Sequence, residues 1–149
     1  NTIMTLPKYA LSSSEKMMTF EFASEGKRGI IHKLVNYQET NLKDLYNLAF
    51  GDKYGDNGEI DDKTISNNGD SEKILATVVA TVYAFIDKYP NSWIYATGSS
   101  KARTRLYRMG ISKFLNEIEN DFEIYGELQN DWDKFKIGIE YNGFLVKRK

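Results

Sequence analysis

The chain contains no cysteine and a single histidine, His32. A disulfide scaffold, a thiolate zinc centre and a cysteine nucleophile are thereby excluded, as is any metal site built on two imidazoles. Only two prolines occur, Pro7 and Pro90, both at expected element boundaries. No Pro-rich linker, internal repeat or low-complexity tract interrupts the sequence, which reads as one domain over 1–149. The longest apolar-rich run, Ile74 to Ile86, falls short of the about 20 residues a membrane span needs and contains Thr77, Thr81 and Tyr83. The opening residues Asn1 to Met4 have no basic stretch followed by an apolar one, so the expectation is a cytoplasmic protein with no membrane partner. An excess of one charge is missing too. Twenty Lys and Arg face 21 Asp and Glu, so no global basic field advertises nucleic acid.

What remains is the composition of a folded domain. The apolar share of 41 % is too high for a wholly disordered chain, and a chain of 149 residues can bury a core. Met17 to Phe22 alternates with Phe20 and Phe22 on one face and reads as a strand. Ser24 to Gly29 reads as a turn, Ile30 to Tyr37 as the returning strand, and Leu45 to Phe50 as a third. Gly51 to Asp70 reads as a long polar loop holding four glycines and six acids, long enough to be functional in its own right. A helix follows, with Asn67 and Asn68 as N-cap candidates and Asp70 and Glu72 in its first turn. Its stripe runs through Ile74, Leu75, Val78, Val79, Val82, Phe85 and Ile86. Ser92 to Thr97 reads as a strand, Lys101 to about Asp121 as a second helix, and Phe122 to Leu128 as a strand. The tail reads as a hairpin of Phe135–Tyr141 and Phe144–Val146 closed at Asn142-Gly143. The order β-β-β-α-β-α-β-β-β predicts an α+β fold, a mixed, mostly antiparallel sheet with two long helices on one face.

One stretch concentrates chemistry. After the strand at Tyr95, Gly98-Ser99-Ser100 turns into a helix whose first two turns carry Lys101, Arg103, Arg105 and Arg108 and no acid. Helix N-termini bear partial positive charge and unpaired N–H donors. Four cations there are locally unfavourable, a cost an occupying anion would relieve. At 100° per residue the apolar stripe Tyr107, Ile111, Phe114, Leu115, Ile118 extends back to Arg103, so Arg103 is expected to face inward and Arg105 outward. An inward arginine needs a carboxylate or a bound anion. The candidate anion-binding set is Ser99, Ser100, Lys101, Arg103, Arg105 and Tyr107, with Asp52 and Asp70 as supporting acids. The plainer alternative is an internal salt bridge from Arg103 to Asp52 or Asp70, with Ser99 or Ser100 as simple caps. The stretch is neither a P-loop nor a dinucleotide fingerprint, because Gly98 stands alone.

Other clusters carry weaker signals. The loop acids Asp52, Asp56, Glu59, Asp61, Asp62 and Asp70 are hard oxygen ligands, yet with Gly58 at the sixth position of a calcium loop Lys53 falls first and Thr64 twelfth, so no metal is assigned. No cofactor is expected. His32 is the one side chain that ordinarily titrates near neutrality, and on a hairpin it reads as a surface residue rather than a catalyst. Tyr95, Tyr107 and Tyr54 are candidates for base stacking, although core packing is the commoner use of such residues. Glu117, Glu119, Asp121, Glu123, Glu127, Asp131 and Asp133 form an acidic run that would repel nucleic acid and suits a solvated face or a basic protein partner.

The segments Phe20-Glu21-Phe22, Tyr46 to Asp52, Ser66-Asn67-Asn68-Gly69-Asp70, Gly98-Ser99 with Ala102 to Tyr107, and Gly143 to Val146 resemble those of a family of small uncharacterised bacterial proteins common in Bacteroidetes. The resemblance covers nearly the whole chain. It implies a bacterial single-domain protein and no particular activity. Three functional expectations stand: a module binding a phosphate of nucleic acid or nucleotide, a toxin-like nuclease or phosphoesterase using the same residues, and a protein-interaction domain with a purely structural Arg/Asp network.

Overall fold

Period-two alternation writes most of the sheet, and a computed structural model describing residues 6–55, 59–61 and 67–149 shows how the strands assemble. A short β1 (Ser12–Ser13) precedes β2 (Thr19–Gly26), β3 (Gly29–Glu39), β4 (Leu45–Tyr54) and β5 (Glu59–Asp61). Helix α1 (Ser71–Lys88), β6 (Trp93–Ala96) and α2 (Lys101–Asp121) follow, then β7 (Phe122–Leu128), β8 (Asp131–Lys134) and β9 (Gly143–Arg148). The described strands form one mixed sheet in the order β1-β2-β3-β4-β6-β9-β7-β8, with β5 paired to β4. The pairing of β4 with β6 is parallel and the others are antiparallel. The α+β class is therefore as the alternation and helical stripes predicted. No helix among the described residues is long and apolar enough to cross a membrane.

Register decides which side chains meet. Phe20 pairs with Val35, Val35 with Phe50, Leu48 with Ala96 and Ala96 with Phe144, so all share one face. Both helices cover that face. Phe85 of α1 is fully buried and stacks on Tyr37 of β3 with ring centroids 4.2 Å apart, and Tyr83 meets Phe122 of β7 edge-on at 4.9 Å. Arg103 of α2 lies over the Phe50 ring. The helices touch where Gly110 admits Leu75, since a Cβ there would lie 2.9 Å from Leu75 Cδ2.

The tail departs from expectation. Asn142-Gly143 closes no hairpin. The turn is instead Gln129-Asn130, both at positive φ, which joins β7 to β8 with Leu128 opposite Asp131. Residues 135–142 leave the sheet because Phe135 and Tyr141 are needed as cover. Both are buried, and the Tyr141 ring fills the space above Gly126 that a Cβ would occupy. The polar loop is also shorter than its composition suggests, since β4 runs on to Tyr54 and Glu59–Asp61 pairs back on it.

The Asn-Asn-Gly-Asp turn is not a side-chain helix cap. Asp70 is the N-cap of α1 and makes no side-chain capping bond; its carboxylate accepts from the hydroxyls of Tyr9 and Ser24, each at 2.5 Å. Asn68, almost fully buried, clamps the β2–β3 hairpin. Its amide donates to Ser24 Oγ and the Gly29 carbonyl, and its Oδ1 accepts from the Arg28 N–H at 2.7 Å. Gly26 is required here, because a Cβ would sit 1.9 Å from the Asn68 carbonyl oxygen. Asn68→Ala strands several buried polar groups and is expected to cost about 2–3 kcal/mol, a Tm loss of roughly 5–10 °C by circular dichroism.

Burial pushes the Tyr37 hydroxyl above its ordinary pKa of 10.0, and burial together with the Asp121 carboxylate does the same to Tyr83. These hydroxyls stay protonated in the fold after the unfolded chain has begun to lose them, so they favour folding below about pH 10 and cease to do so as pH rises beyond it. Thermal melts should hold steady from neutrality to about pH 9 and drop steeply above pH 10, and Tyr37→Phe should blunt that drop.

Candidate functional site

The site begins where β6 runs out. Thr97 Oγ1 donates to the Asn142 carbonyl at 2.8 Å and ties this end to the segment before β9. Gly98 then passes so close to the helix that a Cβ would lie 2.4 Å from the Thr104 nitrogen. Its N–H donates to Thr104 Oγ1, which donates in turn to the Ser100 carbonyl. Ser100 is the N-cap of α2 in extended conformation, and its Oγ accepts from the Arg103 N–H at 3.2 Å. These contacts pin the first turn of α2 while leaving the helix mouth open.

Beside it lies a cavity of about 800 Å³. Ser99, Ser100, Lys101, Arg105 and Arg108 line one side, and Glu140, Tyr141 and Asn142 the other, with Leu106 and Met109 as an apolar wall. Among the described residues no ion pair engages Lys101 or Arg105. Arg108 reaches the Glu140 carboxylate only at 3.9 Å, a loose, solvent-screened contact. The first turn of α2 contains no acid.

The structure brings Ser99, Ser100, Lys101 and Arg105 together at this cavity and takes Arg103 and Tyr107 away from it. Both point into the core, with Arg103 2 % exposed and 5.2 Å from the Phe50 centroid. The supporting acids lie elsewhere. Asp52 accepts from the buried Lys33 ammonium at 2.5 Å, and Asp70 holds Tyr9 and Ser24. Neither lines the cavity. Tyr54 is exposed and Tyr95 stands on the sheet face opposite the helices, its register partner Leu145 beside it. His32 is exposed, its Nδ1 3.6 Å from the Glu21 carboxylate. Beside it a smaller hollow of about 560 Å³ holds Asp52, Lys53 and Asp61. Of the loop acids weighed as cation ligands, Asp56 and Asp62 lie outside the described residues, as do Asn1 to Met4 and the Gly58 and Thr64 positions of the calcium-loop comparison. No metal-like cluster of three occurs among the described residues. Sequence reasoning missed Glu140 and Asn142, since the site gains them from a segment that reads as a strand and its hairpin turn.

The two arginines should behave oppositely. Arg103→Ala removes a buried side chain packed on Phe50 and is expected to cost about 2–4 kcal/mol in urea unfolding, whereas Arg105→Ala, at an exposed position, stays within about 0.5 kcal/mol. Gly98→Val should resemble Arg103→Ala, because its side chain collides with the first turn of α2.

Comparison with known proteins adds a family and no activity. No curated protein and no solved structure matches the chain. The chain belongs to the family of unknown function DUF6934, whose match spans residues 5–149.

Proposed function

We propose that the protein is an anion-binding module that takes a phosphate-bearing ligand, nucleotide or nucleic acid, at the start of α2. The supporting observation is the open cavity into which Lys101, Arg105 and Arg108 project at the positive end of a helix. The dipole and the three cations repel one another, and a bound phosphate would relieve that repulsion while accepting from the N–H groups of the first turn. Ser99 and Ser100 supply hydroxyls at the same mouth. Arg103 serves by fixing the rotation of the helix rather than by touching ligand. We place the module in the cytoplasm of a bacterium as a single domain.

A hydrolytic role for the same residues needs a general base within reach of the phosphate. The carboxylate that lines the cavity is Glu140, whose side chain is 87 % exposed. Binding is therefore the preferred reading. The test is titration of a fluorescent oligonucleotide and of a nucleotide at rising salt. Affinity should fall as salt rises, with a log–log slope of about −0.7 for each phosphate neutralised, and Arg105→Ala should weaken binding about 5–10-fold with the melting temperature unchanged. Salt-independent affinity, or an Arg105→Ala variant that binds as well as the parent, overturns the reading.

A further inference from the structure

The sheet face turned away from the helices carries an aromatic platform that the phosphate reading leaves unused. Trp93 and Tyr95 of β6, Tyr125 of β7 and Trp132 of β8 share this face, β6 standing on one side of β9 and β7 and β8 on the other. Trp93 and Tyr125 lie 6.3 Å apart at a 35° tilt, and Tyr95 and Trp132 5.8 Å apart, edge to face. None of the four is buried, and Trp132 on the outermost strand is 39 % exposed. Among the described residues no helix covers them, because both helices lie on the opposite face. Such rings on a sheet surface are unusual for pure packing and suit planar ligands.

The platform and the cavity meet at the end of β6. Thr97 lines the cavity and Tyr95 lies two residues back along the chain, about 7 Å away along it. Asn142 also lines the cavity, and the next residue, Gly143, leaves room for the Tyr95 hydroxyl, 2.8 Å from where its Cβ would sit. The charges on the platform are balanced, Lys147 and Lys134 against Glu123 and Glu127. Lys147 lies over the Trp93 ring at 4.8 Å and opposite Glu123 in the ladder, Lys134 stands opposite Tyr125, and Glu127 accepts from the Tyr95 hydroxyl at 2.9 Å. The anion-attracting charge therefore sits at the cavity, and the stacking surface adjoins it.

We infer that the ligand is a single-stranded nucleic acid, with one phosphate held by Lys101, Arg105 and Arg108 in the cavity and the adjoining bases stacked on Tyr95 and Trp132. This rests on the phosphate-binding reading and narrows its ligand class. Stacking on aromatic side chains accepts any base, so the recognition is of single strands rather than of sequence.

The chain has two tryptophans, and both stand on this platform, so their intrinsic fluorescence reports stacking directly. The experiment titrates the full chain with thymidine monophosphate and with an oligothymidylate of about eight nucleotides, a length typical of one single-strand site. Binding is followed by tryptophan emission and, independently, by calorimetry. The expected result is quenching by the oligonucleotide, affinity at least tenfold above that of the mononucleotide, and a Trp132→Ala variant in which that advantage is lost while mononucleotide binding persists. Trp132→Phe should retain most of the advantage, which separates stacking from damage to the edge strand. Equal affinity for both ligands with no quenching overturns the inference and leaves the phosphate reading standing. No binding of either ligand overturns both. Quenching by oligolysine but not by the oligonucleotide assigns the platform to a basic peptide and overturns the inference as well.

Discussion

The guanidinium of Arg103 over the Phe50 ring sets the geometry on which the site depends. An arginine so deeply buried cannot be swung out without giving up its packing on Phe50 and opening the core beneath it, so it fixes the rotation of α2 about its axis. Once Arg103 faces the sheet, the 100° step sends Arg105 to solvent and Arg108 to the flank. Ser100 and Gly98 complete the restraint by holding the first turn against the end of β6. The cationic mouth of the helix is thus a consequence of how the helix packs.

A second polar anchor operates at the other helix. Asn68, Ser24, Asp70 and Tyr9 join the tip of the β2–β3 hairpin to the start of α1. The Lys33–Asp52 pair closes the same end of the sheet. Buried polar groups of this kind are favourable only when partnered, so they tie the two ends of the chain's most polar stretch to defined positions. Asp52 and Asp70 accordingly belong to the scaffold, and the cavity at α2 is left with a strong excess of positive charge.

The two faces of the sheet have divided the aromatic residues between them. The helix side takes Phe20, Phe22, Phe50, Phe85 and Phe144, all almost wholly buried. The opposite side keeps Trp93, Tyr95, Tyr125 and Trp132 in partial contact with solvent, each with an indole N–H or a hydroxyl that tolerates water. A balanced overall charge also conceals a local polarity of α2, whose first two turns carry Lys101, Arg103, Arg105 and Arg108 while Glu117, Glu119 and Asp121 stand at its far end.

Local pattern determined both helices, their inward and outward arginines, the Phe20–Phe22 strand and the α+β class, because periods of 2 and 3.6 residues are written in the order of side chains. It did not determine the tail. Asn142-Gly143 has the strongest short hairpin signal, yet Gly143 is needed instead as clearance for Tyr95 and Glu127 while Phe135 and Tyr141 are drawn off to cover the core. Asn68 likewise looked like a cap and proved to be a clamp, since its partners lie about forty residues away along the chain. The joining of Glu140 and Asn142 to the helix mouth, and of two tryptophans from separate strands into one surface, was decided by tertiary structure alone. Strand register brings together residues whose separation in the chain leaves no local trace.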